Sequence, residues 1–246
     1  MSSKFNDIVA LEDISPDKDH FFRVEWNLGR RCNFDCSYCS PSIHDKKSPH
    51  IDLHIVHSTS KKLADYARRN GKKIRISLTG GEPFLHPEFF EILTTIKANG
   101  VNKISVTSNG SMPASKYIES VQWIDYLILS IHFEFSNLKK VEEKILQIQE
   151  EVTRFKAEGK NRGLHIHLMA LPGKVSEALK IQENLQKAGV QVAMRRIRPQ
   201  FNTEGDYLMP FTSGQLGGHP KRKSVIERNN SRYYSDLELN QLGVSP

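Results

Sequence analysis

Gly71, Gly100, Gly159 and Gly189 each close an amphipathic, helix-like stretch, and each is followed within a few residues by a β-branched apolar run. A residue that stops a helix and releases the chain into a strand, used four times, predicts a repeating helix, turn and strand. Strands are expected near Phe22 to Leu28, Ile74 to Thr79, Lys103 to Ser108, Tyr126 to His132, Leu164 to Ala170 and Val190 to Ile197, with helices between them. Six strands alternating with five helices imply parallel β-α units with right-handed crossovers. That is an α/β sheet or an incomplete barrel, since a closed barrel needs eight units. From about Gln200 the periodicity fades among Pro210, Gly214, Gly217, Gly218 and Pro220. The expected organisation is an N-terminal extension (1–20), a main domain (21–199) and a short irregular C-terminal extension (200–246) over the barrel edge.

Alternation within the strands assigns their faces, because successive side chains point to opposite sides. Phe22, Val24, Trp26 and Leu28 oppose Arg23, Glu25 and Asn27, while Ile74, Ile76 and Leu78 oppose Arg75, Ser77 and Thr79. The polar set continues with Ser105, Thr107 and Asn109, then Ser130, His132 and Glu134, then His165, His167 and Met169. Helices must cover the apolar face, so the polar face is the inside of a curved sheet. Parallel strands are normally covered on both sides, and a polar inner face is therefore expected to hold a ligand.

The formal charge of +7 favours an anionic substrate or partner and leaves nucleic acid open. The densest basic cluster, Lys221-Arg222-Lys223, lies in a segment rich in Gly, Ser and Asn and reads as a basic tail. Residues 1–19 lack the apolar core of a signal peptide, and no apolar run approaches membrane-spanning length. A cytoplasmic protein with reduced thiols is expected.

All three cysteines fall in one eight-residue window, Cys32-Asn33-Phe34-Asp35-Cys36-Ser37-Tyr38-Cys39, just after the first strand. An odd number at such short spacing does not suit disulfides. Three thiolates in one loop suit a metal centre, either a zinc knuckle completed by a histidine such as His44 or a cluster with one metal position open to a ligand. The window sits at the carboxyl end of the sheet, where β-α proteins place their sites. Gly29 permits a tight exit from the strand, Arg30 and Arg31 can offset thiolate charge, and Phe34 and Tyr38 can shield the centre from water.

A second motif, Thr79-Gly80-Gly81-Glu82-Pro83, closes strand two. Together, C-x3-C-x-Φ-C with Tyr38 as Φ and the Gly-Gly-Glu turn resemble the radical S-adenosylmethionine (SAM) superfamily over roughly Phe21 to Pro199. The resemblance implies a partial (β/α)6 barrel of parallel strands. Cys32, Cys36 and Cys39 would bind three irons of a [4Fe-4S] cluster, and the methionine end of SAM would chelate the fourth. Backbone at Gly80 and Gly81 and the carboxylate of Glu82 would receive the SAM amino group, the glycines allowing close approach. Asn109 resembles a residue near the ribose or carboxylate. Ser130 and His132 stand where many relatives carry a serine and an aspartate, so His132 departs from the common pattern, and Met169 can contact adenine. The implied reaction is reductive cleavage of SAM to a 5′-deoxyadenosyl radical that abstracts hydrogen from an unidentified substrate. A low-potential donor of the flavodoxin or ferredoxin type is the implied partner. No cysteine follows Cys39, so no second all-cysteine cluster is expected in this sequence.

Two other readings stand beside this one. His132, His165 and His167 project from the same face and suit a three-histidine zinc hydrolase with a separate cysteine knuckle; the second is a metal-stabilised nucleic-acid-binding module. Arg195, Arg196 and Arg198 can grip a carboxylate or phosphate, but alternation alone leaves the inward one unassigned.

Overall fold

The computed structural model describes residues 21–39, 44–170 and 174–196, with Ala170 and Arg196 described by backbone alone. Six strands, β1 (Phe21–Asn27), β2 (Lys73–Thr79), β3 (Lys103–Ser108), β4 (Tyr126–His132), β5 (Gly163–Ala170) and β6 (Gln191–Arg196), form one sheet in sequence order. Every pairing is parallel. The intervening helices are α1 (Leu53–Arg69), α2 (Phe89–Ala98), α3 (Ala114–Ser120), α4 (Leu138–Ala157) and α5 (Val175–Lys187). A parallel sheet wound in one direction and left open is the expected partial (β/α)6 barrel, and its strands start and stop within a residue of the expected limits. Ile197, Arg198 and the two extensions lie outside the described residues.

The four glycines end their helices by one device. Each takes a φ between +66° and +90°, and the amide after it reaches back to a carbonyl five residues earlier: Lys72 to Ala67, Val101 to Ile96, Lys160 to Phe155 and Val190 to Leu185. This Schellman closure needs a left-handed residue, which glycine supplies without a Cβ clash.

The helices lie against the apolar strand face. On α4, Val141, Ile145, Ile148, Val152 and Phe155 recur at intervals of four and three and are all buried. They join Ile74, Ile76, Leu78, Ile104, Val106, Leu127, Leu129, Ile131, Leu164, Ile166 and Leu168 in one core. The opposite face of the sheet remains partly open, with Ser77, Thr79, Thr107, Ser130, His132, His165, His167 and Met169 all of intermediate exposure. At the amino end, Asp125 ties the layers together by accepting from Ile104 N–H at 2.8 Å while pairing with Lys97 and Arg162, each at 2.8 Å.

Candidate active site

The cysteine loop leaves β1 and is joined by main chain to the turn after β2. Gly81 N–H donates to Gly29 carbonyl and Glu82 N–H to Arg31 carbonyl, both at 2.8 Å. This close approach explains the paired glycines. A Cβ on Gly81 would lie 2.1 Å from the Arg31 carbonyl oxygen, and one on Gly80 2.5 Å from that of Gly29. The Cβ directions of both residues are thus filled by the chain leading to Cys32.

Glu82 was expected to offer its carboxylate to a ligand, but the carboxylate is turned into the protein. The residue is 3% exposed. One oxygen accepts from Phe84 N–H at 3.0 Å and Ser108 hydroxyl at 2.9 Å, and the other from Asn109 N–H at 2.7 Å. Burial outweighs these bonds and pushes its pKa up to about 7. Ser108, from the apolar side of β3, also bonds Tyr117 hydroxyl at 2.8 Å. The Asn109 backbone fixed by Glu82 carries an amide that donates to Asn33 Oδ1 at 2.9 Å and lies 3.7 Å from Cys32 Sγ. A buried carboxylate on β2's turn therefore positions a polar group beside the first cysteine.

His132 closes the other side of the loop. Its Nδ1 lies 2.6 Å from Tyr38 hydroxyl and 3.4 Å from Cys36 Sγ, and its ring stacks on Tyr38 with an interplanar angle of 11°. Burial pushes the His132 pKa down to about 4, so the imidazole is neutral, and its tautomer decides which of Nδ1 and the Tyr38 hydroxyl donates. Phe34 stacks on Phe135 at 5.0 Å and meets His132 edge-on, while Met169 packs against Cys36 and Tyr38. Ser37 is held by Glu134, through its N–H at 2.9 Å and through its hydroxyl. None of these partners, about a hundred residues away in sequence, was legible from the cysteine window itself.

The three cysteines are free. Burial raises all three pKa values, that of Cys36 to about 12, and the neighbouring thiols add to the rise at Cys36 and Cys39. Three half-shielded thiols of one loop that resist ionisation alone form a donor set that an iron-sulfur core fits, since binding metal displaces their protons.

Several other expectations are corrected. Arg31 does not face the thiols; its guanidinium donates to the carbonyls of Ser48, at 2.8 Å, and Lys47, and Arg30 pairs with Asp45. The following loop presents carbonyl and carboxylate oxygens that hold both cations. His44 bonds Asp35 at 3.1 Å, and among the described residues it is not grouped with the cysteines to hold a metal ion. The zinc-hydrolase reading fails on strand register. His165 pairs with Ile128, His167 with Ser130, and His132 with Met169. His165 and His132 therefore sit about 13 Å apart along the strands at ~3.3 Å per residue, whereas zinc holds each nitrogen at about 2 Å. Among the described residues, no group of three or more His, Cys, Asp or Glu is arranged to hold a single metal ion. Ser130 lies beside His167 on the inner face. No described helix is long and apolar enough to cross a membrane.

The model of the Radical SAM superfamily matches residues 26–191. GTP 3',8-cyclase of Actinobacillus pleuropneumoniae serotype 3 (strain JL03) is 36% identical over 107 residues, covering 42% of this chain and 31% of that protein. GTP 3',8-cyclase of Haemophilus influenzae (strain PittGG) is 26% identical over 126 residues, covering 51% and 36%. The chain thus matches about a third of the length of these curated relatives. Among solved structures, anSMEcpe with bound AdoMet aligns with a TM-score of 0.49 and 15% identity, covering 92% of this chain and 61% of that one. BtrN in complex with AdoMet and 2-DOIA aligns at 0.40 and 19%, covering 50% and 51%. Because the family model spans β1 to the start of β6 and takes in the cysteine loop and the turn welded to it, the chain belongs to the radical SAM superfamily, whose enzymes work with a [4Fe-4S] cluster and S-adenosylmethionine.

Proposed function

We propose that this enzyme cleaves SAM reductively at a [4Fe-4S] cluster held by Cys32, Cys36 and Cys39, and uses the resulting radical on a substrate bound against the polar inner face. The observation that carries this reading is the main-chain junction between the cysteine loop and the Gly80-Gly81 turn at the carboxyl edge of that face. When bound, the cluster and SAM supply a 5′-deoxyadenosyl radical that abstracts hydrogen; the chain supplies placement, shielding and tuning.

Cys32, Cys36 and Cys39 give up their protons on loading. Main chain at Gly80 and Gly81, together with Asn109, Ser130, His132 and Met169, lines the SAM site. Glu82 serves it at one remove, holding Asn109 in place. The Asn109 amide, beside Cys32 Sγ, favours the thiolate through its N–H donor. Phe34 and the buried Tyr38 shield the loop from water, with the exposed Phe135 ring stacked on Phe34. Tyr38 hydroxyl bonds the His132 ring, which burial keeps neutral at neutral pH.

The electron donor in this reading is a low-potential flavodoxin or ferredoxin in the cytoplasm, and the net charge of +7 suits docking to an acidic protein. Anaerobic reconstitution with iron and sulfide tests the reading. About four irons per chain, followed by 5′-deoxyadenosine production from SAM under dithionite, is expected. Stoichiometric zinc without iron uptake would sink it.

A further inference from the structure

The amino end of the inner face carries two cations that the SAM site does not use. Arg75 on β2 and Lys103 on β3 are direct register partners, each at an inward position and each half-buried. Phe21 opens β1 and Tyr126 opens β4 on either side of them. The Arg75 guanidinium carbon lies 5.9 Å from the centre of the Phe21 ring and 4.9 Å from that of Tyr126. The Lys103 ammonium lies 4.9 Å and 5.9 Å from the same two centres. Four neighbouring strands therefore hold two positive charges against one pair of rings.

No carboxylate of the described residues balances this pair. Neither Arg75 nor Lys103 makes a hydrogen bond or an ion pair among them, and Arg75 Nε is buried without a partner. Glu25, the one carboxylate at an inward position of the described strands, stands beside Ser77. Asp125, which precedes Tyr126, is taken by Lys97 and Arg162. A ring face attracts a cation without cancelling its charge, so two like charges stand side by side in a half-shielded site, where they repel more strongly than in water. An anion that meets both relieves the repulsion. The rings also fix where the charged ends lie, which lowers the ordering cost of binding.

We propose that Arg75 and Lys103 form a second binding site, which takes a phosphoryl group of a phosphorylated small molecule. Such a group carries about two negative charges and three acceptor oxygens. It can therefore meet both cations at once, two oxygens on the terminal nitrogens of Arg75 and one on the Lys103 ammonium. A carboxylate, singly charged, would leave one cation unbalanced. The site is separate from the cysteine loop: His132, which touches that loop, lies at the far end of β4 from Tyr126, about 20 Å away at ~3.3 Å per residue. Arg195, an inward cation at that far edge, pairs in register with Met169 and meets His167 at 3.1 Å. The assignment stands on register and contacts at the amino end and holds whatever chemistry the cysteine loop performs.

The test is calorimetric titration of anaerobically reconstituted protein with inorganic pyrophosphate and, separately, with malonate. One saturable pyrophosphate site per chain is expected, with malonate severalfold weaker. Arg75→Gln and Lys103→Gln should each weaken pyrophosphate by about tenfold or more, the loss typical of a charge-assisted hydrogen bond, while Lys103→Arg keeps most of the binding. Lys61→Gln, which removes one charge from the exposed side of α1, should bind as wild type does and so separates a site from a general effect of net charge. Thermal melting adds a readout that a merely structural pair would not move. Pyrophosphate should raise the melting temperature of wild type and leave that of Lys103→Gln unchanged, whatever the stability of the variant alone. No pyrophosphate binding by wild type, wild-type binding by Arg75→Gln and Lys103→Gln, malonate binding as tight as pyrophosphate, or equal weakening by Lys61→Gln would each overturn the proposal.

Discussion

Glu82→Gln isolates the energetics of the buried carboxylate that braces the site. Glu82 has a folded pKa of about 7 against an ordinary value of 4.5, with burial as the main cause. Such a rise corresponds to about 3 kcal/mol. The sign follows from proton binding: between pH 4.5 and 7 the folded state holds a proton that the unfolded state has released. The stabilising contribution is therefore complete below pH 4.5 and is lost as pH rises through 7. The protonated form is accommodated locally, because a proton on the oxygen facing Ser108 meets the serine oxygen, which then donates to Tyr117. Glutamine cannot titrate. It carries instead a constant penalty, since its NH₂ confronts either Asn109 N–H or the pair of donors from Phe84 and Ser108, at about 1–3 kcal/mol. Urea unfolding of cluster-free, reduced protein at pH 4.5 and 7.5 should show wild type losing about 3 kcal/mol relative to the variant. All other titrating groups are common to both proteins and cancel in the difference. A wild-type to variant difference that stays constant with pH would refute the reasoning.

Gly81→Ala forces a Cβ into the Arg31 carbonyl, 2.1 Å away, so the entry to the cysteine loop must move. A loss of roughly 1–3 kcal/mol is expected from overpacking, with reduced iron per chain after reconstitution, read by thermal melting and metal analysis. Asp125→Ala strands Ile104 N–H and two cations at the amino end of the sheet and should cost about 3–5 kcal/mol. Its iron content should be unaffected, because the site lies at the other end. In cluster-free protein at pH 8, iodoacetamide should label Cys36 last, since its thiol is 7% exposed and pushed up to about 12; peptide mapping over time reads the order, and labelling of Cys36 first would contradict the burial.

The parts of the fold that depend on local periodicity were legible to within a residue. Schellman glycines and two-residue alternation act over a few positions, so they survive in any context that lets the elements form. The polar inner face followed from the same alternation. The direction of individual side chains at the site was not legible, because each was decided by a partner far along the chain. Glu82 reads as a ligand in a Gly-Gly-Glu turn, yet Asn109 and Ser108 from β3 claim its oxygens. Arg31 reads as a counter-charge to the thiolates, yet the carbonyls of Lys47 and Ser48 hold it.

The histidines make the same point from register. Parity put His132, His165 and His167 on one face, which is enough to suggest a metal site and not enough to build one. Convergence also requires equal height on adjacent strands, and β4 meets β5 with His132 beside Met169. That offset gives the imidazoles separate tasks, His132 against Tyr38 and Cys36, and His167 against Arg195. Restoring a shared height would need a two-residue slip of β4 to bring His132 beside His167. The slip would keep face parity, but it would carry Leu127, Leu129 and Ile131 along the helix layer by about 7 Å at ~3.3 Å per residue, out of the contacts that bury them. The core therefore fixes the register that separates the histidines, and the division of labour at the site is a consequence of packing on the opposite face of the sheet.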